Sequence, residues 1–209
     1  MARTKSHFDR KPPRFKQQAL VLVLCEDSKS SLQYLQDAAR HFRAYAEIEI
    51  AHTGKTDPLN IVAEGVKRQH LFDQVFCAID RDQHETFDQA VALAADHAQK
   101  LDVIVSYPCY EYWLLLHFRK TRKPYARAGR NSSGDLLVKD LREEEGMENY
   151  AKGTAKNLFE KLYPKLPSAR QRASEVVAEA DQDGNLNPST RLHELIDLFE
   201  RLGTPQVIV

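Results

Sequence analysis

Two acidic sites, each set directly behind a short apolar run, carry the chemistry in this sequence. Val21-Leu22-Val23-Leu24-Cys25 runs into Glu26, and Val75-Phe76-Cys77-Ala78-Ile79 runs into Asp80-Arg81-Asp82. Short apolar runs of this kind read as buried strands. Two such strands running the same way in one sheet share a C-terminal edge, which is where open α/β sheets place ligands. Glu26, Asp80 and Asp82 then meet in one crevice. Residues two apart in an extended segment face the same side, so Asp80 and Asp82 reach one ligand together. Carboxylates this close repel, by ~4 kcal/mol per pair at ~4 Å and an effective dielectric of ~20. A hard divalent cation relieves that repulsion, and Mg²⁺ (or Mn²⁺) with its oxygen shell suits the ligand type. Each site alone has a plainer reading: Glu26 as a loop or helix-start charge, Asp80-Arg81-Asp82 as an Asx turn after a strand. Only their combination points to a centre.

Further candidates lie nearby in sequence. Glu111 follows another apolar run, Val103-Ile104-Val105, so it either approaches the same crevice or simply starts a helix. His84 is a proton shuttle, a phosphate contact or a turn histidine. Asp27 offers one more carboxylate beside Glu26. His117 and Trp113 sit one turn apart in an apolar stretch and read as core. The segment from Arg119 to Arg130 holds Arg119, Lys120, Arg122, Lys123, Arg127 and Arg130 with Tyr125 and no acid. It reads either as a solvated loop or as a phosphate-backbone contact with Tyr125 stacking on a base. Gly54-Lys55-Thr56 is not a P-loop, because Glu49 stands where the first glycine belongs. Asp181-Gln182-Asp183-Gly184-Asn185 is not a calcium loop, because Leu186 and Leu192 replace the required Gly and Glu.

The elements that must position these groups follow a β-α rhythm. A strand at about 20–25 is followed by a helix capped by Ser28 or Ser30, with Leu32, Leu35, Ala39 and Phe42 on one face. Glu47-Ile48-Glu49-Ile50-Ala51 alternates and reads as a second strand. Asp57-Pro58 is an N-cap with Pro at the first helical position, opening a helix with Leu59, Val62, Ala63 and Val66 on its buried stripe. Strands at about 74–79 and 103–105 enclose a helix at about 85–99. The rhythm argues for a parallel sheet with right-handed crossovers. After Tyr110 to Phe118, a dense apolar helix, helices are expected at about 135–145, 154–162, 168–181 and 189–202. Gln206-Val207-Ile208-Val209 allows a short strand of unassigned pairing.

The chain has 209 residues, of which 42% are hydrophobic, enough for a core. Its 30 Lys and Arg balance 30 Asp and Glu, so no global field draws it to nucleic acid or membrane. No apolar stretch approaches the ~20 residues of a spanning helix. The N-terminus lacks the apolar region of a secretory signal. Cys25, Cys77 and Cys109 stand apart in apolar contexts and read as reduced core thiols of a cytoplasmic protein.

Four segments carry a family resemblance: Leu22-Val23-Leu24-Cys25-Glu26, Thr53-Gly54-Lys55-Thr56-Asp57-Pro58, Ile79-Asp80-Arg81-Asp82-Gln83-His84, and Pro108 through Phe118. Asn187-Pro188-Ser189-Thr190 also fits. The strand-Glu26-helix and strand-Asp80-Arg81-Asp82 pieces look like a Toprim fold. From about residue 19 the chain resembles the RloB-like proteins, a bacterial group linked to restriction and phage-defence loci. The resemblance implies that Asp80 and Asp82 hold Mg²⁺, that Glu26 acts on the attacking or leaving oxygen or helps hold metal, and that Glu111 is the additional carboxylate of nuclease-type Toprim sites. It implies DNA or RNA as substrate and a partner ATPase encoded nearby; assembly with further copies of the chain is allowed. The chain departs from the family after Glu26, where Asp27-Ser28-Lys29-Ser30-Ser31 replaces further acids with serines.

The expected fold is α/β, a Toprim-like Rossmannoid. A basic flexible arm (1–17) precedes a core over 18–118, with a mainly parallel sheet of about four strands flanked by helices. A basic loop and C-terminal helical extension (119–209) packs on that core. The expected function is a Mg²⁺-dependent phosphodiesterase, a nuclease of phage defence. The alternative is a catalytically weak or inactive Toprim-like binding or regulatory module that docks on a partner ATPase. Small-molecule phosphatase chemistry ranks last, since Glu26 stands where an aspartate nucleophile is wanted.

Overall fold

The computed structural model describes residues 19–44, 48–81, 84–153 and 156–204. The arm over 1–17, Asp82 and the strand expected at 206–209 lie outside the described residues. In chain order the elements are β1 (Val21–Cys25), α1 (Ser30–His41), β2 (Ile48–His52), α2 (Pro58–Arg68), β3 (Gln74–Asp80), α3 (Phe87–Ala95), β4 (Leu101–Tyr107) and α4 (Glu111–Leu116). They continue with α5 (Ser133–Leu141), α6 (Leu158–Leu162), α7 (Leu166–Asp183), β5 (Ser189–Thr190) and α8 (Leu192–Gly203).

The strands form one sheet in the order β2-β1-β3-β4-β5, parallel except for β5. The chain runs from β1 outward to β2, then returns to the other side of β1 as β3. That reversal is a topological switch point, and it leaves a crevice between the C-terminal ends of β1 and β3. Glu26 leaves one of those ends and Asp80 closes the other.

Side chains along each strand alternate between two covered faces. Val21, Val23 and Cys25 of β1, with Ala78 and Ile104, join the apolar cluster that holds α1 and α4 through α8. Leu22, Leu24, Val75, Cys77, Ile79, Val103 and Val105 face the other way, under α2 and α3. Burial on both faces is why β1 reads as a continuous apolar run. The C-terminal helices share the first cluster with the sheet.

The sheet has five strands rather than four. Ser189–Thr190 pairs antiparallel with Ser106 and Tyr107, and Ser106 Oγ lies 2.9 Å from Thr190 Oγ1. A two-residue strand has no periodicity to read, so the helix expected from 189 begins instead at Leu192. Asp57 caps α2 as expected, accepting the Asn60 N–H at 3.1 Å. The buried face of α2 is Ile61, Val62 and Gly65, while Ala63 is exposed. Gly65 sets that orientation. A Cβ there would stand 2.9 Å from Leu101 Cδ1 and 3.0 Å from Cys77 Sγ, so only glycine lets α2 lie this close to β3 and β4. All three cysteines are buried free thiols.

His117 is a core residue, 2% exposed. Its Nδ1–H donates to Trp113 O at 3.0 Å, which leaves Nε2 to accept from Tyr34 OH at 3.3 Å. Both bonds suit the neutral ring. Burial, reinforced by Arg172 and Lys165, lowers its pKa from 6.5 to about 4. Below pH 6.5 the unfolded chain therefore takes up a proton that the native ring refuses. Stability from this group is complete above pH 6.5 and falls as the pH drops toward 4, by about 3 kcal/mol in all. Urea unfolding at pH 7 and pH 5 should show a smaller pH dependence in His117→Gln than in the wild type. Equal dependence in both proteins would assign the acid sensitivity elsewhere.

Candidate active site at the C-terminal edge of the sheet

The parallel register of β1 and β3 places Cys25 opposite Ala78, so Glu26, one residue on, and Asp80, two residues on, stand close at the crevice. The Glu26 backbone N–H donates to Ala78 O at 3.2 Å, extending the ladder by one bond. The Glu26 side chain returns across the gap. Its Oε2 accepts the Asp80 backbone N–H at 2.9 Å, and its Oε1 lies 3.0 Å from His84 Nε2. Glu26 and His84 are thus in proton-transfer contact.

Asp80 is half-buried and takes a hydrogen bond from the Tyr110 backbone N–H. Burial first, then the neighbouring Glu26 and Glu111 carboxylates, pushes the Asp80 carboxyl well above the usual carboxylate range. Glu111 arrives from the far side. The chain turns after β4 through the cis Tyr107–Pro108 bond and opens α4 with Glu111, which is 3% exposed. Its Oε1 accepts from Tyr150 OH at 3.1 Å, and its Oε2 pairs with Lys152 Nζ at 3.2 Å. Glu26, Asp27, Asp80, Ser106 and Tyr110 are among the residues lining a cavity of about 10 Å³, room for roughly one water-sized particle.

Asp27 has a different task. Its carboxylate accepts the backbone N–H groups of Lys29 (3.0 Å), Ser30 and Ser31 (2.8 Å). It caps α1 in place of Ser28 or Ser30, because one carboxylate satisfies three orphan donors where a hydroxyl satisfies fewer. Its oxygens bond the start of the helix, a capping role beside the accessory one expected of it.

The donor set suits a hard cation in its chemistry: Glu26, Asp80 and Glu111 offer only oxygen, and a cation would favour the charged form of Asp80 that burial and its two neighbouring carboxylates disfavour. The geometry is not that of an assembled shell. Glu26 and Glu111 are held by protein donors, and among the described residues no three His, Cys, Asp or Glu side chains form a metal-ready group. Asp82 lies outside the described residues.

The basic segment lies at the surface, and four of its cations pair with acids of the chain. Arg119 pairs with Glu144 at 3.1 Å, Lys120 with Glu175 and Glu179, Arg122 with Asp183 at 2.8 Å, and Lys123 with Asp140 at 2.9 Å. Tyr125 is 2% exposed and donates its hydroxyl to Asp140 at 2.7 Å. A ring so enclosed cannot stack on a base, which corrects the role expected of it. Those four cations tie the segment to α5 and α7. Arg127 and Arg130 are exposed, and no acid among the described residues pairs with them.

The family model for the RloB-like protein matches residues 21–199. The chain belongs to the RloB-like family. Comparison with curated proteins and with solved structures returned no match. The match takes in every RloB-like element from β1 into α8, including Lys152 and Tyr150, which sequence reasoning missed. Lys152 stands in an irregular linker with no motif around it, and only the fold brings it to Glu111. The same linker is pinned to α1, where the Gly153 N–H donates to Ser30 Oγ at 2.7 Å.

Lys152→Met would leave Glu111 buried without its cation. Because the ammonium is half-exposed, solvent discounts the loss to about 1–2 kcal/mol in chemical denaturation. Adding Glu111→Gln should recover most of it. A double variant as unstable as the sum of the singles would show that charge balance is not what the pair provides.

Proposed function

We propose that this RloB-like chain is a Mg²⁺-dependent phosphodiesterase of the Toprim type, cutting DNA or RNA in phage defence. The observation that carries this reading is the meeting of Glu26 and Asp80 at the switch point of the sheet, 2.9 Å apart through the Asp80 N–H, with Glu111 close behind. Three carboxylates, two at strand ends and one at the start of α4, gather at one edge of the sheet. The order strand-glutamate-helix, then strand-aspartate, supports the Toprim-type assignment.

Asp80, Glu26 and Glu111 are the described residues that would hold the ion, with Asp82 next along the chain. When bound, Mg²⁺ supplies Lewis acidity toward a phosphoryl oxygen. The protein supplies the rest. Glu26 and His84 share one hydrogen bond and so can pass a proton between carboxylate and imidazole. Lys152 offsets the charge of Glu111 and keeps the acidic rim from repelling a phosphate. Tyr110, at the start of α4, orients Asp80 through its backbone N–H.

A second reading has an observation of its own. Both oxygens of Glu111 and both of Glu26 have protein partners, as in a module that binds and regulates without cutting. Such a module would dock on a partner ATPase.

Purified protein incubated with DNA and with RNA should cut one of them with Mg²⁺ or Mn²⁺ and neither with EDTA. Asp80→Asn and Glu26→Gln should each lower the rate by about 100-fold or more. Cutting that survives both substitutions removes the proposed centre. If cells carrying Asp80→Asn resist phage as well as the wild type does, the regulatory module is the better account.

A further inference from the structure

We propose that a second cavity, between Arg81 and Arg127, binds a phosphate of the nucleic-acid strand that enters the Glu26–Asp80 rim. The inference rests on the phosphodiesterase reading and adds to it a subsite and a direction of approach. The cavity measures about 210 Å³; its walls include Arg81, Tyr107, Pro108, Tyr125, Arg127 and Asn187, and none of its described lining residues is acidic.

Its two guanidinium groups come from distant parts of the chain and are placed by different means. Arg81 directly follows Asp80, and its backbone N–H donates to Ser106 O at 2.8 Å, which fixes its root to β4. Its guanidinium lies over the Phe87 ring at 4.7 Å and stands 4.0 Å from Asp88, too far for a hydrogen bond. The stack holds the group in place and leaves its N–H donors available. Arg127 comes from the basic segment, beyond the four cations spent on α5 and α7. It is exposed and has no acidic partner among the described residues.

The wall between them is rigid. Tyr125 is held at both ends, its hydroxyl on Asp140 and its backbone N–H and C=O on the Asn187 side chain at 3.2 and 2.8 Å. A cavity built this way keeps its shape without a ligand. Two arginines lining one hollow, with no acid among its described lining residues, select an anion with oxygens to share between them, and a phosphate answers that geometry. Because Arg81 adjoins Asp80, a strand seated here passes the acidic rim with its neighbouring phosphodiester. The exposed, unpaired state of Arg127 agrees with a contact made only on binding.

The test measures binding apart from cutting. Labelled single-stranded DNA and RNA oligonucleotides are titrated with the full chain in EDTA, by fluorescence anisotropy over a range of salt. Arg127→Gln and Arg81→Gln should each weaken binding about 10-fold and flatten the salt slope by about one. Arg127→Lys should lose less, and Arg201→Gln, exposed on α8, should bind as the wild type does. Arg127 is at the surface, so its variants keep the fold, which a melting curve verifies. Arg81→Lys serves if Arg81→Gln does not fold. Inorganic phosphate should compete with the oligonucleotide on the wild type. The proposal is overturned if Arg127→Gln binds as tightly as the wild type, or if phosphate binds and no oligonucleotide does. Arginine-dependent binding without any Mg²⁺-dependent cutting would support the subsite and end the nuclease reading alone.

Discussion

The parallel pairing of β1 with β3 is the constraint on which the site depends. It aligns Cys25 with Ala78, and one residue later the Glu26 carboxylate closes onto the Asp80 N–H. Shifting either strand by one residue would turn that strand's side chains to the opposite face and part Glu26 from the Asp80 N–H. The register is held by burial on two sides, Val21, Val23 and Cys25 against one layer of helices and Leu22 and Leu24 against the other. The core therefore acts on function through register, because the pairing it holds brings the Glu26 side chain within reach of the Asp80 backbone N–H. Burying Asp80 beside two further carboxylates is unfavourable for the fold alone, and such costs concentrate where a protein binds or reacts.

The second layer of order comes from the C-terminal half. Helices α4 through α8 cover one face of the sheet and send residues back to its functional edge. Glu111 opens α4, Tyr150 and Lys152 hold its carboxylate, and Gly153 bonds to Ser30 at the start of α1. The linker between α5 and α6 thereby joins the Glu111 side of the crevice to the Glu26 side. The basic segment after α4 contributes by attachment. Its ion pairs with Asp140, Glu144, Glu175, Glu179 and Asp183 tie the chain to α5, to the turn after it and to α7, and leave Arg127 and Arg130 without an acidic partner among the described residues.

Much of the framework was legible because its signals are local. Apolar runs of strand length marked β1, β3 and β4, and Asp57-Pro58 marked the start of α2. The convergence of Glu26 and Asp80 followed from one assumption, that their strands run the same way. What escaped was set by distant partners. Charge composition along Arg119 to Arg130 cannot show which of its cations have acids of α5 and α7 opposite them. Lys152 carries no motif. Ser189–Thr190 is too short to alternate and is a strand only because Ser106 and Tyr107 accept it. Asp27 was weighed as a ligand when the nearer need was the bare N-terminus of α1.

That two-residue strand also bears on how the polypeptide is made. Until Ser189 and Thr190 emerge from the ribosome, the β4 side of the sheet is an unpaired edge, and bare edges recruit other chains. Strand β5 and then α8 emerge later than β4 and cover part of that edge. A polypeptide stopped before residue 189 would leave β4 bare to other chains, though Glu26, Asp80 and Glu111 were all in place.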